Sequence, residues 1–427
     1  MAQECFIYIT LPGTVEPVAA ARFEITTTPA GDPLGRFVYG RSYLENPDSV
    51  PFDPVELALS SKIYETVSLK GVFGALRDSS PDHWGRRVIA RHLGKAEPSE
   101  LEYLLHSSDD RAGALSFGLG PKPPGPKREF NKRIDLERLQ KLADALLSEE
   151  NLPDNADIAQ VDGLLNGGSS MGGARPKVVV EDDGALWIAK FNVPKDDKWN
   201  YARVEHAMLT LAKSAGLSVS ESRVVQVGDR DVLLVKRFDR EHTDAGYRRA
   251  RMISGLTLLR SEDSHQDRAR WSYILLAEEI RRASGEAKRD ANELFRRMCL
   301  NALISNTDDH PRNHAMIAMG KPWRLSPAYD LVPAPAISLE KRDLALICGD
   351  QGRIMNTANL LSQSGRFLLE KGEAENLLQS MRDHVAHEWH AFARREGVSE
   401  ADCEKIRPAF VYPGLDLDHV EPANFGG

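Results

Sequence analysis

The sequence has few cysteines, no long apolar run and no excess of positive charge, and each shortage excludes something. The four cysteines among 427 residues (Cys5, Cys299, Cys348 and Cys403) are scattered, with no CxxC pair. This disfavours a disulfide framework and a cysteine-based zinc site, and it fits a reducing, cytoplasmic compartment. No run approaches the roughly 18 apolar residues of a membrane span, so none is expected. The amino-terminal MAQECFIYITLPG has no basic stretch ahead of its apolar residues, so no signal peptide is expected either. Lys+Arg 55 against Asp+Glu 63 gives a net charge of −8. Phosphate neutralisation needs a basic surface, so a free-standing nucleic-acid binder is disfavoured. The composition is otherwise ordinary for a soluble chain, 41% hydrophobic and 28% charged, and the length suits one two-lobed unit or two to three domains.

What is present reads as a β-rich half followed by a helical one. FIYIT (6–10) and RFVYG (36–40) are strand-like, and RAGALSFGLG (111–120) is a small Gly-spaced strand. DHWGRRVIARHL (82–93) reads as a helix started by Asp82, with Trp84, Val88 and Ile89 at helical spacing. PKPPGPKREF (121–130) breaks regular structure and is the best subdomain boundary. A helix at 135–147 leads to GLLNGGSSMGGARPK (163–177). VVVEDDGALWIAKF (178–191) then predicts a hairpin about DDG, and RVVQVGDRDVLLVKRFD (223–239) a second about Gly228-Asp229. Between them YARVEHAMLTLAKSAG is a helix stopped at Gly216. From about residue 250 strands become rare, and 294–306 and 374–395 are helical by periodicity. There is no internal repeat.

Four features carry chemistry, in an order that matters. Gly167, Gly168, Gly172 and Gly173 surround Ser169 and Ser170, with Lys177 after them. Such a loop can turn backbone N–H groups toward phosphate oxygens, although Gly/Ser-rich stretches are more often simply flexible, and no GK[ST] of a Walker A motif is present. Lys190 ends the apolar strand LWIA; it can pair nucleotide phosphates or merely snorkel at a strand end. Glu205 in the next helix can orient it or be a solvated carboxylate. The strongest feature is NTDDHPRNH (306–314), a loop because Pro311 breaks any helix. Asp308 and Asn313 have the Asp-to-Asn spacing of a kinase catalytic loop, where the Asp accepts the substrate proton and the Asn holds Mg²⁺. A capped polar turn, or a metal site of Asp308, Asp309, His310 and His314, are the alternatives. Asp330, in LSPAYDL, lies where a kinase needs a second carboxylate for Mg²⁺.

SMGGARPK (170–177), WIAKF (187–191), VKRFDR (235–240), NTDDHPRN (306–313) and LSPAYDLVPA (325–334), with FGALRDSSPDHWGRRV (73–88) and DRAGALSFG (110–118), together resemble the HipA-like serine/threonine kinases. These are the toxin components of bacterial type II toxin–antitoxin modules. The resemblance covers roughly residues 30–400. It implies an α+β, two-lobed protein-kinase-like fold: an extra N-terminal subdomain (1–125), the rest of the N-lobe (126–240) and a helical C-lobe (241–427). It implies Mg-ATP-dependent protein kinase activity with Asp308 as catalytic base and Asn313 and Asp330 holding Mg²⁺. Lys190 would contact the ATP phosphates, and Met171, Gly172, Gly173, Ala174, Arg175, Pro176 and Lys177 would form the phosphate loop. Lys236, Arg237 and Phe238 would form the hinge facing adenine through backbone groups, His310 and Tyr329 would flank the nucleotide, and Ser170 would be autophosphorylated. Family members phosphorylate aminoacyl-tRNA synthetases, arrest growth, and bind a HipB-like helix-turn-helix antitoxin, reaching DNA only through it. Many members read TDGH or TDDHAKN where this chain has TDDHPRN, so Pro311 and Arg312 stand where substrate contact can change. A non-catalytic, kinase-like corepressor docked on such an antitoxin is the alternative function.

Overall fold

The computed structural model describes residues 4–126, 129–147, 175–193, 195–335 and 338–417. Two antiparallel-based sheets come first. In one, β1 (Glu4–Thr10), β2 (Pro17–Thr27), β3 (Pro33–Tyr39), β4 (Tyr64–Thr66) and β5 (Leu115–Gly118) lie in the order β4-β3-β2-β1-β5. Ile7, Ile9, Phe23 and Phe37 of these strands are fully buried. Between β4 and β5 the chain forms α1 (His83–Leu93) and α2 (Glu100–His106). Asp82 caps α1 by accepting from the Gly85 N–H, and Ser99 and Glu102 close a reciprocal capping box on α2.

The second sheet takes β6 (Asn131–Lys132), β7 (Lys177–Asp182), β8 (Ala185–Phe191), β9 (Ser222–Val227) and β10 (Arg230–Lys236) in the order β6-β7-β8-β10-β9. The DDG turn between β7 and β8 has Asp183 at φ 51° and Gly184 at φ 69°, the left-handed pair that a two-residue hairpin needs. α3 (Leu136–Leu147) and α4 (Tyr201–Ser214) flank this sheet. Trp84, Val88 and Ile89 of α1 and Leu139 of α3 pack on Val178, Val180, Trp187 and Ala189. The proline-rich stretch thus separates the two sheets along the chain, while α1 contributes to the core of the second.

The remainder is mostly helical: α5 (Tyr273–Ala283), α6 (Ala287–Leu303), α7 (Lys371–Arg395) and α8 (Glu400–Ile406). α5 packs on α6, and α7 packs on both α6 and α4. A hairpin of β11 (Arg240–Thr243) and β12 (Gly246–Arg249) leads into this half. A three-stranded sheet of β13 (Arg251–Ser254), β14 (Ala315–Ala318) and β15 (Arg324–Leu325) follows. The chain between α6 and β14 is therefore tied at both ends, and it is the segment that carries the D-x₄-N spacing. The result is an α+β, two-lobed, kinase-like fold with an additional N-terminal sheet. Among the described residues no helix is long and apolar enough to cross a membrane, and all four cysteines are free and buried.

Candidate active site

Pro311 ends the possibility of helix after α6 and starts a single 3₁₀ turn, Pro311–Asn313. Inside the loop the Asn313 Nδ2 donates to the Asp308 carbonyl at 2.9 Å, and the Asn313 N–H to the His310 carbonyl at 2.7 Å. The adjacent carboxylates Asp308 and Asp309 part company. Asp309 turns inward, fully buried, accepting from the Tyr273 hydroxyl at 2.7 Å and the Ala345 N–H at 2.5 Å. The Asn301 Nδ2 donates to the Tyr273 oxygen at 2.9 Å, and the Asn306 Nδ2 to Asn301 Oδ1 at 3.1 Å. This chain of buried bonds fixes the loop from beneath. Asp308 instead lines a cleft cavity of about 760 Å³.

Lys177, Lys190, Glu205, Asn306, Asp308 and Asp330 meet at that cavity, with Arg175 on its wall. Lys190 Nζ lies 2.7 Å from Glu205 Oε1 and 2.8 Å from Asp330 Oδ1. Burial works against the Lys190 charge, but Asp330 and then Glu205 outweigh it and hold the ammonium protonated well above its ordinary range. Burial likewise opposes ionisation of Asp330, yet Lys190 keeps that carboxyl below the usual carboxylate range. Glu205 is pushed the other way by burial. Asp330 sits at φ 60°, a left-handed conformation that costs a non-glycine residue energy and is found at sites where geometry is imposed. Burial, then the neighbouring Asp330, raises the Asp308 carboxyl above the usual range, which brings it nearer the working pH of a general base.

The other expected residues divide. The Arg175 guanidinium pairs with Asp197 at 2.8 Å and lies 3.6 Å over the Tyr201 ring. The Pro176 carbonyl accepts from the Phe191 N–H, and buried Lys177 pairs with Asp82, the cap of α1. Ser169, Ser170, Met171, Gly172, Gly173 and Ala174 lie outside the described residues. The side chains of the expected hinge residues are held by neighbours outside the cleft. Lys236 pairs with Glu221 at 2.9 Å, and its N–H donates to the Glu221 carbonyl. The Arg237 N–H donates to the Leu186 carbonyl, and its fully buried guanidinium is clamped by Asp110 at 2.6 Å and Asp239 at 2.8 Å. Neither residue lines the cleft cavity. A buried charge needs such partners, which hold the Arg237 guanidinium away from the cleft; the hinge expectation concerns the backbone of these residues, not their side chains. The Phe238 ring sits 5.6 Å from that of Tyr329, whose hydroxyl donates to the Arg312 carbonyl at 2.6 Å. His310 packs edge-on against Trp271, with Nε2 3.0 Å from Asp263 Oδ1. His310, Asn313 and Tyr329 do not line the cleft cavity; Asn313 and Tyr329 share with Asp330, which lines both, a much smaller cavity that Asn301 and Asn306 also line.

The Asp/His metal-site alternative does not assemble. Among the described residues no three His, Cys, Asp or Glu side chains cluster as a metal cage. Burial lowers His314 to about 3, so its ring is neutral, and Asp309 is committed to its own donors. Sequence reasoning missed Asp82 as the partner of Lys177 and Asp263 as the partner of His310 and Arg312. It also missed the far cavity wall of Lys198, Trp199, Val332, Pro333, Lys405 and Pro408. No local pattern marks these, because each contact joins distant segments.

Asp309 predicts a pH signature. Burial raises its carboxyl to about 7, against an ordinary value near 4. The folded state then holds a proton that the unfolded chain releases between those values. Stability from this group is full below about pH 4 and is lost as pH rises through about 7. Melting temperatures across that window should fall with pH in the parent and fall less in Asp309→Asn; parallel curves would contradict the assignment.

Residues 169–389 match the HipA-like C-terminal domain family, and residues 24–118 the HipA N-terminal domain family. The Y4mE protein of Sinorhizobium fredii (strain NBRC 101917 / NGR234), named a candidate kinase, is 23% identical over 316 residues, 70% of this chain and 72% of that protein. The HipA chain of the Shewanella oneidensis MR-1 toxin–antitoxin system, solved with HipB and its operator DNA, has a similar fold. The TM-score is 0.64 at 14% identity, covering 94% of this chain and 95% of that one.

Proposed function

Because the chain belongs to the HipA family, whose relatives are kinase-like, we propose that it is a Mg-ATP-dependent protein serine/threonine kinase with its active centre at the 760 Å³ cavity. The observation that carries this reading is Lys190 held between Glu205 and Asp330 at the cavity that Asp308 lines. That is a cation for phosphates, a carboxylate for a metal and a base for a hydroxyl, all lining one cavity.

The residues suit Mg²⁺ bound with a nucleotide. Asn313 spends its Nδ2 on the Asp308 carbonyl, and Asp330 spends Oδ1 on Lys190. Asn313 Oδ1 and Asp330 Oδ2 remain as hard oxygen donors, one amide and one carboxylate, the set expected where phosphate oxygens complete the shell. A bound Mg²⁺ would neutralise charge on the phosphates. Lys190 positions them, with Glu205 holding its ammonium in place. Asp308 accepts the proton of a serine or threonine hydroxyl as that oxygen bonds to the γ-phosphorus and ADP departs. Residues 171–177 would cradle the phosphates, and Ser170 would be the self-phosphorylation site. The HipB partner of the Shewanella relative supports a helix-turn-helix antitoxin as the partner here. A translation component such as an aminoacyl-tRNA synthetase would be the substrate, its phosphorylation arresting growth.

Phosphate on Ser170 adds about −1.5 to −2 charges, which would repel nucleotide phosphates. Tandem mass spectrometry of the purified chain after incubation with Mg-ATP should find phosphate on Ser170 together with falling ATP affinity. A fully active chain carrying stoichiometric phosphate there would refute the self-limiting role, and Ser169 as sole acceptor would move it by one residue.

A further inference from the structure

Among the described residues no group hydrogen-bonds the Asp308 carboxylate; only its carbonyl is bonded, by Asn313. The direction of this carboxylate is therefore set by the backbone of its loop. Asp309 and its donors hold that loop from within. On the outer side one carboxylate grips both residues that flank Pro311. Asp263 Oδ1 lies 3.0 Å from His310 Nε2, and Oδ2 3.2 Å from Arg312 Nε. The Arg312 N–H donates to His310 Nδ1 at 3.1 Å, so the ring proton sits on Nε2 and faces Asp263. The Arg312 carbonyl in turn accepts from the hydroxyl of Tyr329, the residue before Asp330.

Asp263 is itself placed from the N-terminal sheet. Asp267 accepts from the Glu262 N–H at 2.5 Å and the Ser261 hydroxyl at 3.2 Å. Trp271 Nε1 donates to Ser261 Oγ at 3.1 Å, while its ring meets His310 edge-on at 4.4 Å. Glu262 Oε1 accepts from the Leu69 N–H at 2.8 Å, across 193 residues of chain. Leu69, Lys70 and Gly71 lie at φ 51°, 57° and 81°. Such a left-handed run is disfavoured for residues with side chains, and it persists only where the surroundings impose it. Here the turn is seated on β3: a Cβ on Gly35 would come within 1.8 Å of the Gly71 carbonyl oxygen. A continuous set of contacts thus runs from β3 through Leu69, Glu262 and Asp263 to both sides of Pro311.

We propose that Glu262 and Asp263 form a strut by which the N-terminal sheet fixes the Asp308 loop, with Asp263 a positioning residue for phosphoryl transfer. The positioning role rests on the reading of Asp308 as the base. The Asp263 side chain is 50% exposed, so its ion pairs contribute little to stability. A small displacement of a reacting group, in contrast, costs a large factor in rate. The strut therefore acts on rate and not on melting temperature.

The test compares the full chain with Asp263→Ala, Glu262→Ala and the double variant. Amide hydrogen exchange reads the loop without requiring activity, and initial rates of label transfer from γ-labelled Mg-ATP into lysate proteins read the chemistry. In Asp263→Ala, exchange at residues 312–314 should rise by about tenfold, with the Ala345 N–H beneath the loop unchanged. Transfer should fall by about tenfold, with ATP affinity within about twofold and the melting temperature within about 2 °C of the parent. Glu262→Ala should speed exchange at the same three residues and add nothing in the Asp263→Ala background, because both act through one contact path. Unchanged loop exchange in Asp263→Ala, or additive effects in the double variant, overturns the strut. Faster loop exchange with transfer within about twofold of an active parent overturns the positioning role, as does an equal loss of ATP affinity and transfer. Faster loop exchange in a chain whose parent transfers no phosphate sustains the strut and overturns the kinase reading instead.

Discussion

Asp308→Asn should abolish phosphoryl transfer while leaving ATP binding close to that of the parent. The substitution keeps the size of the side chain and removes its ability to take a proton, and general-base catalysis contributes about 10²- to 10⁴-fold. The loop need not rearrange, because Asn313 bonds the backbone carbonyl of residue 308 and not its side chain. Asp309, the deeper carboxylate, keeps its bonds to Tyr273 and Ala345 and cannot take over the role. Single-turnover rates with saturating Mg-ATP measure the loss. A rate within about tenfold of the parent would remove Asp308 from the chemistry.

Asp330→Ala should separate metal-dependent from metal-independent binding. With Mg²⁺, ATP affinity should fall by at least about tenfold, since the carboxylate that would ligate the metal is gone. Without Mg²⁺ the same variant should bind ATP as well as the parent or better. Lys190 then keeps only Glu205 as its anchor, and one negative charge facing the phosphates has been removed. Calorimetric titrations with and without Mg²⁺ decide it. Equal losses in both conditions would mean that Asp330 serves the fold, its left-handed backbone included.

Local chemistry made much of this legible in the sequence. DDG demanded a left-handed turn and sits in one, Asp82 was readable as a cap, and Pro311 dictated a loop between α6 and β14. The D-x₄-N spacing and the lysine near the end of β8 were readable because each shows in near neighbours in the chain or in a single strand. Partnerships across the fold were not. Arg237 lies next to a strand end, but its counter-charge Asp110 is 127 residues away, and no local pattern announced that its guanidinium would be drawn inward. Lys177 meets Asp82 across 95 residues, tying the end of the proposed phosphate loop to a helix of the N-terminal segment. The apolar stripe of α1 was visible as periodicity, but a stripe does not say which of two sheets it will cover, and it covers the second. The Asp308/Asp309 pair shows the same limit: two adjacent carboxylates look alike in sequence, and only burial distinguishes the one facing the cleft from the one sealed beneath the loop.

The most direct measurement is transfer of label from γ-labelled ATP, with Mg²⁺, by the purified chain into proteins of a cell lysate, followed by phosphoamino-acid analysis. The account predicts label on serine or threonine of one or a few proteins, dependent on Mg²⁺ and absent with Asp308→Asn. Label appearing equally with the parent and with Asp308→Asn, or none above background with a chain that binds Mg-ATP, would contradict it.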